Sequence, residues 1–301
     1  MWADRRGRWR ERFRAAGKPA AALLLPLWLG LAGCGDGAVA EPDEGASRSL
    51  FAEPPEAVAV SGRVRVFPPA EAWLTGRGTS LTLPQGLSVA FDEPLQQALG
   101  DAGASLGMTP VSEEGGFAAA SVPVRELVVG LGASLDPAAS LETAGLTPGV
   151  TTLLYDSRHS GMNPRDPIEG AEVFALPRAW LQALETAVGA AAPGTHAPGA
   201  PSLRQAGFVV GQVLDAAGVP VAGARVALEP PELAEALHYP DASLQGAGGE
   251  STGEAGLFLL VHDGGDVRTF TFTLMGEDPA PPHRGVLAKG RGLLLRVQPP
   301  P

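Results

Sequence analysis

The densest set of chemically capable side chains is the stretch YDSRHSGMNPRD, residues 155–166. It carries Tyr155, carboxylates at Asp156 and Asp166, the hydroxyl of Ser157, the imidazole of His159, and Arg158, Asn163 and Arg165. Such a set could recognise a polar ligand, with Tyr155, Asp156, His159 and Asp166 as the binding residues, because loops on rigid scaffolds often carry function. It also contains the types needed for acyl transfer by serine, histidine and aspartate. That chemistry takes its nucleophile, base and orienting carboxylate from separate elements around a prepared oxyanion site. One short loop does not supply them, so no catalytic residue is assigned. The plainer reading of the stretch is a polar hairpin loop.

The other candidates are weaker. The histidines are His159, His196, His238, His262 and His283, and none stands in a metal-ligand spacing such as H-E-x-x-H. His196 and His283 fall in proline-rich stretches and read as solvated. HDGGD, residues 262–266, offers two carboxylates and an imidazole, too few donors for a hard cation, and reads as a turn between strands. Glu113 and Glu114 read as turn acids. The short GLG and GRG runs lack the strand–glycine–helix context of a phosphate site. No cofactor and no metal is therefore expected, and the chain is read as non-enzymatic.

The elements that must position these residues follow from composition and pattern. Glycine (40) and proline (29) together make up about 23% of the 301 residues, beside 45% hydrophobic residues. Many short strands joined by tight turns use that composition without low complexity. The C-terminal part has the clearest grammar. GFVVGQVLD is a strand, AAG a tight turn and VPVAGARVALEP a second strand with proline at its start. ESTGEAGLFLLVHD, VRTFTFTLMG and GLLLRVQ follow, with Phe270, Phe272 and Leu274 alternating with threonines. The expected class is all-β: tandem antiparallel β-sandwiches, with one short helix and a disordered N-terminal tether. The helix is expected near 178–189, where Trp180, Leu181, Leu184 and Val188 share one face.

A strand–turn–strand signature occurs twice. GVPVAGARVAL after GQVLD has a counterpart in DPIEGAEVFAL after LLYD. AVSGRVRVF and GLSVAFDEP look like a looser copy still, and the middle copy should pack onto the N-terminal sandwich. The C-terminal pattern resembles the carboxypeptidase regulatory-like domain, a transthyretin- or prealbumin-like β-sandwich. Gly211, Val213, Asp215, Gly218, Pro220, Gly223, Ala224, Val226, Thr252, Gly256 and Phe258 stand at the matching positions, over about 90 residues. In that pattern the Asp and Gly shape the hairpin turn, the Gly-Ala pair lets strands approach, and Phe258 plugs the core. PPELAEALHYPDASLQGAGGE is an insertion relative to it. The resemblance implies a fold and no particular activity, since the domain recurs beside unrelated functions. No zinc carboxypeptidase motif accompanies it.

The N-terminus supplies an address. RRGRWRERFRAAGK is a basic n-region, and PAAALLLPLWLGLAG is an apolar run of roughly 14 residues, which as a helix would fall short of the ~30 Å hydrocarbon core. It reads as a signal peptide. Leu31-Ala32-Gly33-Cys34 resembles the lipobox of bacterial lipoproteins, which implies diacylglyceryl attachment at Cys34 and cleavage before it. Cys34 is the only cysteine, so an exported chain must hold itself together without an internal disulfide. Removing residues 1–33 takes away seven Lys/Arg and two Asp/Glu, leaving 15 basic and 31 acidic residues and a net charge of −16. Such a chain disfavours nucleic acid and anionic lipid.

The expected organisation is a signal peptide over 1–33, a flexible tether over 34–57, an N-terminal sandwich-like domain over 58–190, a linker over 191–206 and a regulatory-like sandwich over 207–301. The expected role is a binding or scaffold module in the envelope of a Gram-negative bacterium, held at the outer membrane by lipid. Its partner would be another envelope protein or a glycan. The alternatives are an envelope enzyme or ligand-binding protein with its site around 155–166, and a purely structural spacer.

Overall fold

The computed structural model describes residues 56–101, 104–124, 127–156, 164–191, 202–262, 265–275 and 282–298. The stretch expected as a signal peptide, Cys34 and most of the stretch expected as a tether lie outside these residues, as do His159 and His196.

Fourteen strands in the described residues form three sheets. The first has three strands: β1 (Ala57–Val66) lies between β4 (Gly116–Pro123) and β7 (Ile168–Ala175). The second has eight: β2 (Ser88–Asp92), β3 (Ser105–Pro110), β5 (Gly130–Asp136), β6 (Val150–Asp156), β8 (Phe208–Val213), β10 (Leu237–His238), β11 (Leu257–Val261) and β14 (Gly292–Val297). Their order is β10-β11-β8-β14-β6-β5-β2-β3. The third sheet is β13-β12-β9, from His283–Leu287, Arg268–Met275 and Arg225–Glu229.

These sheets pack as two sandwiches that share the long sheet. Val60, Val64, Phe117 and Val173 of the first sheet share a buried cluster with Val89, Phe91, Leu131 and Ala133 of β2 and β5. Val226, Phe270, Phe272 and Val286 of the third sheet do the same with Val209, Phe258, Leu260 and Leu293. Tandem all-β sandwiches are therefore what the chain forms. The pairing is not purely antiparallel: β7 runs parallel to β1, and β14 runs parallel to both β6 and β8. Residues Ala52–Pro301 make one compact unit.

The repeated signature now has a spatial meaning. Each copy begins on the long sheet and crosses to a facing one, β6 to β7 and β8 to β9. The two starting strands flank β14, where Leu293 stands opposite Thr151 on one side and Val209 on the other. The looser N-terminal copy does not follow this path. β1 lies in the first sheet and β2 in the long one, the reverse assignment, because β1 takes β7 as its parallel partner.

Apolar residues fill both parities of the central strands because both faces are covered. In β11, Phe258 and Leu260 join the sandwich core, whereas Leu257, Leu259 and Val261 join a cluster on the opposite face. That second face carries α4 (Arg178–Ala191), whose Trp180, Leu181, Leu184, Ala187 and Val188 are buried at the spacing of one helical stripe. Trp180 meets Phe67 edge-on at 5.7 Å, and Phe67 meets Phe174 at 5.4 Å. The helix was expected within the N-terminal sandwich-like domain. Its cluster also holds Phe208, Val210 and Leu294, so it covers the seam where the two halves join.

Four smaller α-helices accompany it among the described residues: α1 (Pro68–Thr75), α2 (Pro94–Leu99), α3 (Ala138–Thr143) and α5 (Leu203–Ala206). One helix was expected. Three of the four are six residues or fewer, which leaves no periodic stripe to read, and α5 falls in the stretch expected as linker.

The C-terminal signature residues interlock. Asp215 Oδ1 accepts hydrogen bonds from the N–H groups of Ala217 (2.9 Å) and Val219 (2.8 Å), closing a turn around Gly218 at φ +80°. Thr252 Oγ1 donates to Val221 O at 2.6 Å and accepts from Ala224 N at 3.0 Å. Phe258 is buried, as a core plug should be. The close approach expected at Gly223-Ala224 occurs elsewhere. A Cβ on Gly223 would meet nothing within 4 Å, and its φ of +81° is what requires glycine. At Gly211 a Cβ would stand 2.0 Å from Phe258 Cζ, so Gly211 provides the space for the ring.

Candidate functional site

β6 ends at Asp156, and from there the candidate loop departs. Tyr155 is half-buried and packs against the N-terminal sandwich core. Asp166 is exposed, ahead of β7. His159, expected to act with Asp156 and Asp166, lies outside the described residues; within them, Asp156 has a partner far along the chain. Asp156 Oδ2 lies 2.6 Å from Nδ1 of His283, 127 positions away. Asp156 Oδ1 accepts from the backbone N–H of Arg284 at 3.3 Å, and the Arg284 guanidinium donates to Val128 O at 3.1 Å.

His283 was expected to be solvated. It opens β13, is only 7% exposed, and stacks on Phe272 with ring centroids 5.1 Å apart. Strand pairing sets it opposite Phe272, which holds the ring inside the sandwich. A carboxylate on Nδ1 fixes the proton there and leaves Nε2 as the basic nitrogen. A general base needs its proton donor within about 2.6–3.2 Å. Nε2 of His283 is buried and has no partner among the described residues. The pair thus resembles half of a catalytic relay in composition, but its reactive nitrogen is closed off. What it does physically is tie the end of β6, in the long sheet, to the start of β13, in the third sheet.

Beside it lies a shallow groove of about 340 Å³, whose wall includes Val128, Glu229, Thr271 and Arg284. Gly285 also lines it, and a Cβ there would come within 2.3 Å of the Phe270 ring.

Sequence reasoning missed a second polar cluster, at the end of β2. Asp92 and Glu93 are both buried, 4% and 1% exposed. Glu93 caps α2: its Oε2 accepts from Gln96 N and its Oε1 from Val129 N, both at 2.8 Å. Asp92 Oδ2 accepts from Gln97 Nε2 at 2.9 Å and Ser134 Oγ at 3.4 Å, while Oδ1 has no partner among the described residues. Burial pushes the Asp92 carboxyl up to about 7, with Glu93 adding to the rise and Ser134 and Arg291 opposing it. The signal was present in FDEP, since an acid followed by proline at N1 marks a helix start.

HDGGD lies between β11 and β12, as a connecting turn would, and His262 Nε2 sits 3.1 Å from Asp266 O. Among the described residues, no three His, Cys, Asp or Glu side chains are grouped to hold a metal ion.

No protein-family model matches the chain, and no curated protein matches it. Solved structures with some likeness include a streptococcal ancillary pilin, 8% identical with a TM-score of 0.22, covering 81% of this chain and 69% of that one. The shaft pilin SpaA from Lactobacillus rhamnosus GG is 9% identical with a TM-score of 0.21, covering 81% of this chain and 99% of that one. The Bacillus anthracis TIE protein is 9% identical with a TM-score of 0.19, covering 81% of this chain and 34% of that one. Likenesses this distant transfer neither a role nor a site.

Proposed function

We propose that this chain is a non-catalytic, lipid-anchored protein of a bacterial cell envelope that serves as a binding or scaffold module. The carrying observation is the Asp156–His283 pair. The second ring nitrogen of His283 is buried, and the pair joins two sheets. The eight-stranded sheet shared by both sandwiches supports the same reading, because it joins them through strand pairing. The basic and apolar N-terminus ending at Cys34 supports export and lipid attachment, with the outer membrane as destination. The regulatory-like signature of the C-terminal half fits an accessory module. The partner is another envelope protein or a glycan.

The test has two arms. The purified full chain is assayed against a panel of chromogenic esters and amides, with Asp156→Asn and His283→Gln alongside. The expected result is no turnover by any form and lower stability in both variants. Turnover by the wild type that either substitution abolishes, with the fold retained, would establish an enzyme around 155–166 instead. In the second arm, the chain produced with its own N-terminus is cross-linked in cells and captured. A discrete envelope protein or glycan is expected, and its absence would favour a pure spacer.

A further inference from the structure

Strand pairing sets Glu229 of β9 beside Thr271 of β12, and Thr271 beside Arg284 of β13, so the three residues form one row across the third sheet. Phe270 and Phe272, on either side of Thr271, belong to the sandwich core, so by the alternation of a strand the row faces outward. It lines the groove of about 340 Å³, together with Thr269, Pro230 and the Val128–Val129 segment. That volume lies at the lower end of small-molecule sites, about 300–1,000 Å³.

The polar groups of this groove are accessible. Glu229 and Thr269 are exposed, and Thr271 and Arg284 are half-buried. Glu229 has no ion pair among the described residues, although an arginine stands two strands away. One nitrogen of Arg284 donates to Val128 O at 3.1 Å, which holds the guanidinium at the groove. A guanidinium has five N–H donors, and no Arg284 nitrogen is both buried and unpartnered. The same is true of Thr271 Oγ1.

Along the row a carboxylate only accepts, a guanidinium only donates, and the hydroxyl between them does both. A ligand carboxylate would satisfy Arg284 and face Glu229, and a ligand ammonium would do the reverse. The chain's formal net charge of −11 disfavours an anion further. Ligand hydroxyls, each a donor and an acceptor, answer all three groups without net charge, and their bonds to the acid and the base are of the stronger, charge-assisted kind. Val128 and Pro230, both half-buried, give the groove apolar surface suited to the C–H faces of a sugar ring.

We infer that this groove binds a neutral saccharide through Glu229, Thr271 and Arg284. The inference rests on the binding-module reading and narrows its partner to a glycan; it is independent of lipid attachment.

The test is calorimetric titration of the full chain with maltotriose, cellotriose and triacetylchitotriose, and with glycylglycine and acetate as a zwitterion and an anion. Saturable binding of at least one trisaccharide is expected at a Kd of about 1 mM. Glycylglycine and acetate should bind at least about tenfold more weakly. Glu229→Ala, at an exposed position, should weaken the sugar about tenfold, the loss expected of a hydrogen bond to a charged group. The near-isosteric Thr271→Val should weaken it about fivefold, as for a neutral hydrogen bond. Failure of all three sugars to saturate, equal binding of glycylglycine or acetate, or full affinity in both variants would overturn the inference. A chain that binds none of the sugars yet captures a discrete envelope protein in cells would overturn it and leave the binding-module reading standing.

Discussion

Asp156 and His283 meet at 2.6 Å although 127 positions separate them, and the contact is between two sheets of one sandwich. A hydrogen bond to a charged group contributes about 1.5–3 kcal/mol; without Asp156 the buried His283 loses its carboxylate, and without His283 Asp156 keeps only the bond from the Arg284 N–H. His283→Gln and Asp156→Asn should each lower unfolding free energy by about 2 kcal/mol in urea titrations of the full chain. The double variant should lose clearly less than the sum, with coupling above about 1 kcal/mol. Additive losses would mean the two side chains do not stabilise one another.

Asp92 should make stability fall as pH rises. In the unfolded chain its carboxyl ionises near 3.8, whereas in the fold burial holds it protonated up to about 7. Between those values the folded state binds the extra proton, so each step up in pH costs stability until the loss levels off above 7. A rise of about three pH units corresponds to something on the order of 4 kcal/mol. Asp92→Asn, which keeps a neutral side chain, should match the wild type near pH 4 and exceed it at pH 8. A difference between the two that does not vary with pH would show that Asp92 ionises normally.

Phe258 and Gly211 should behave as one unit. Phe258→Ala is expected to cost about 3–5 kcal/mol, the usual range for a buried phenylalanine. Gly211→Ala is also expected to be destabilising, because its Cβ would lie 2.0 Å from the Phe258 ring. Adding Gly211→Ala to Phe258→Ala should cost little more, since the obstructing ring is gone. Denaturation curves that show the two losses adding in full would contradict this packing.

Local features of the fold were legible in the sequence, and distant ones were not. Period-2 alternation in RTFTFTLM marks β12, and the Asp215–Gly218 turn follows from its own residue types. The parallel seam of β14 between β6 and β8 has no such mark, because the three strands lie far apart in the chain and all read as ordinary apolar runs. His283 shows the same limit within the candidate site. Its proline-rich approach suggests solvent, while its burial is decided by Phe272 and Asp156 from other strands. Asp156 could be picked out as a polar residue beside a loop. That His283 would be a partner depended on which strands come together.

The most direct test of the proposed role lies at Cys34. Each buried acyl CH₂ contributes roughly 0.8 kcal/mol, so two or more chains on one cysteine hold a protein durably to a membrane. The measurement is mass spectrometry of the mature N-terminus from a Gram-negative host, with fractionation into inner-membrane, outer-membrane and soluble pools. The account predicts a chain that begins at Cys34, carries a diacylglyceryl group and sediments with the outer membrane, and a Cys34→Ser form that is neither lipidated nor cleaved at that position. A wild-type chain recovered soluble, with an unmodified thiol at Cys34, would contradict it.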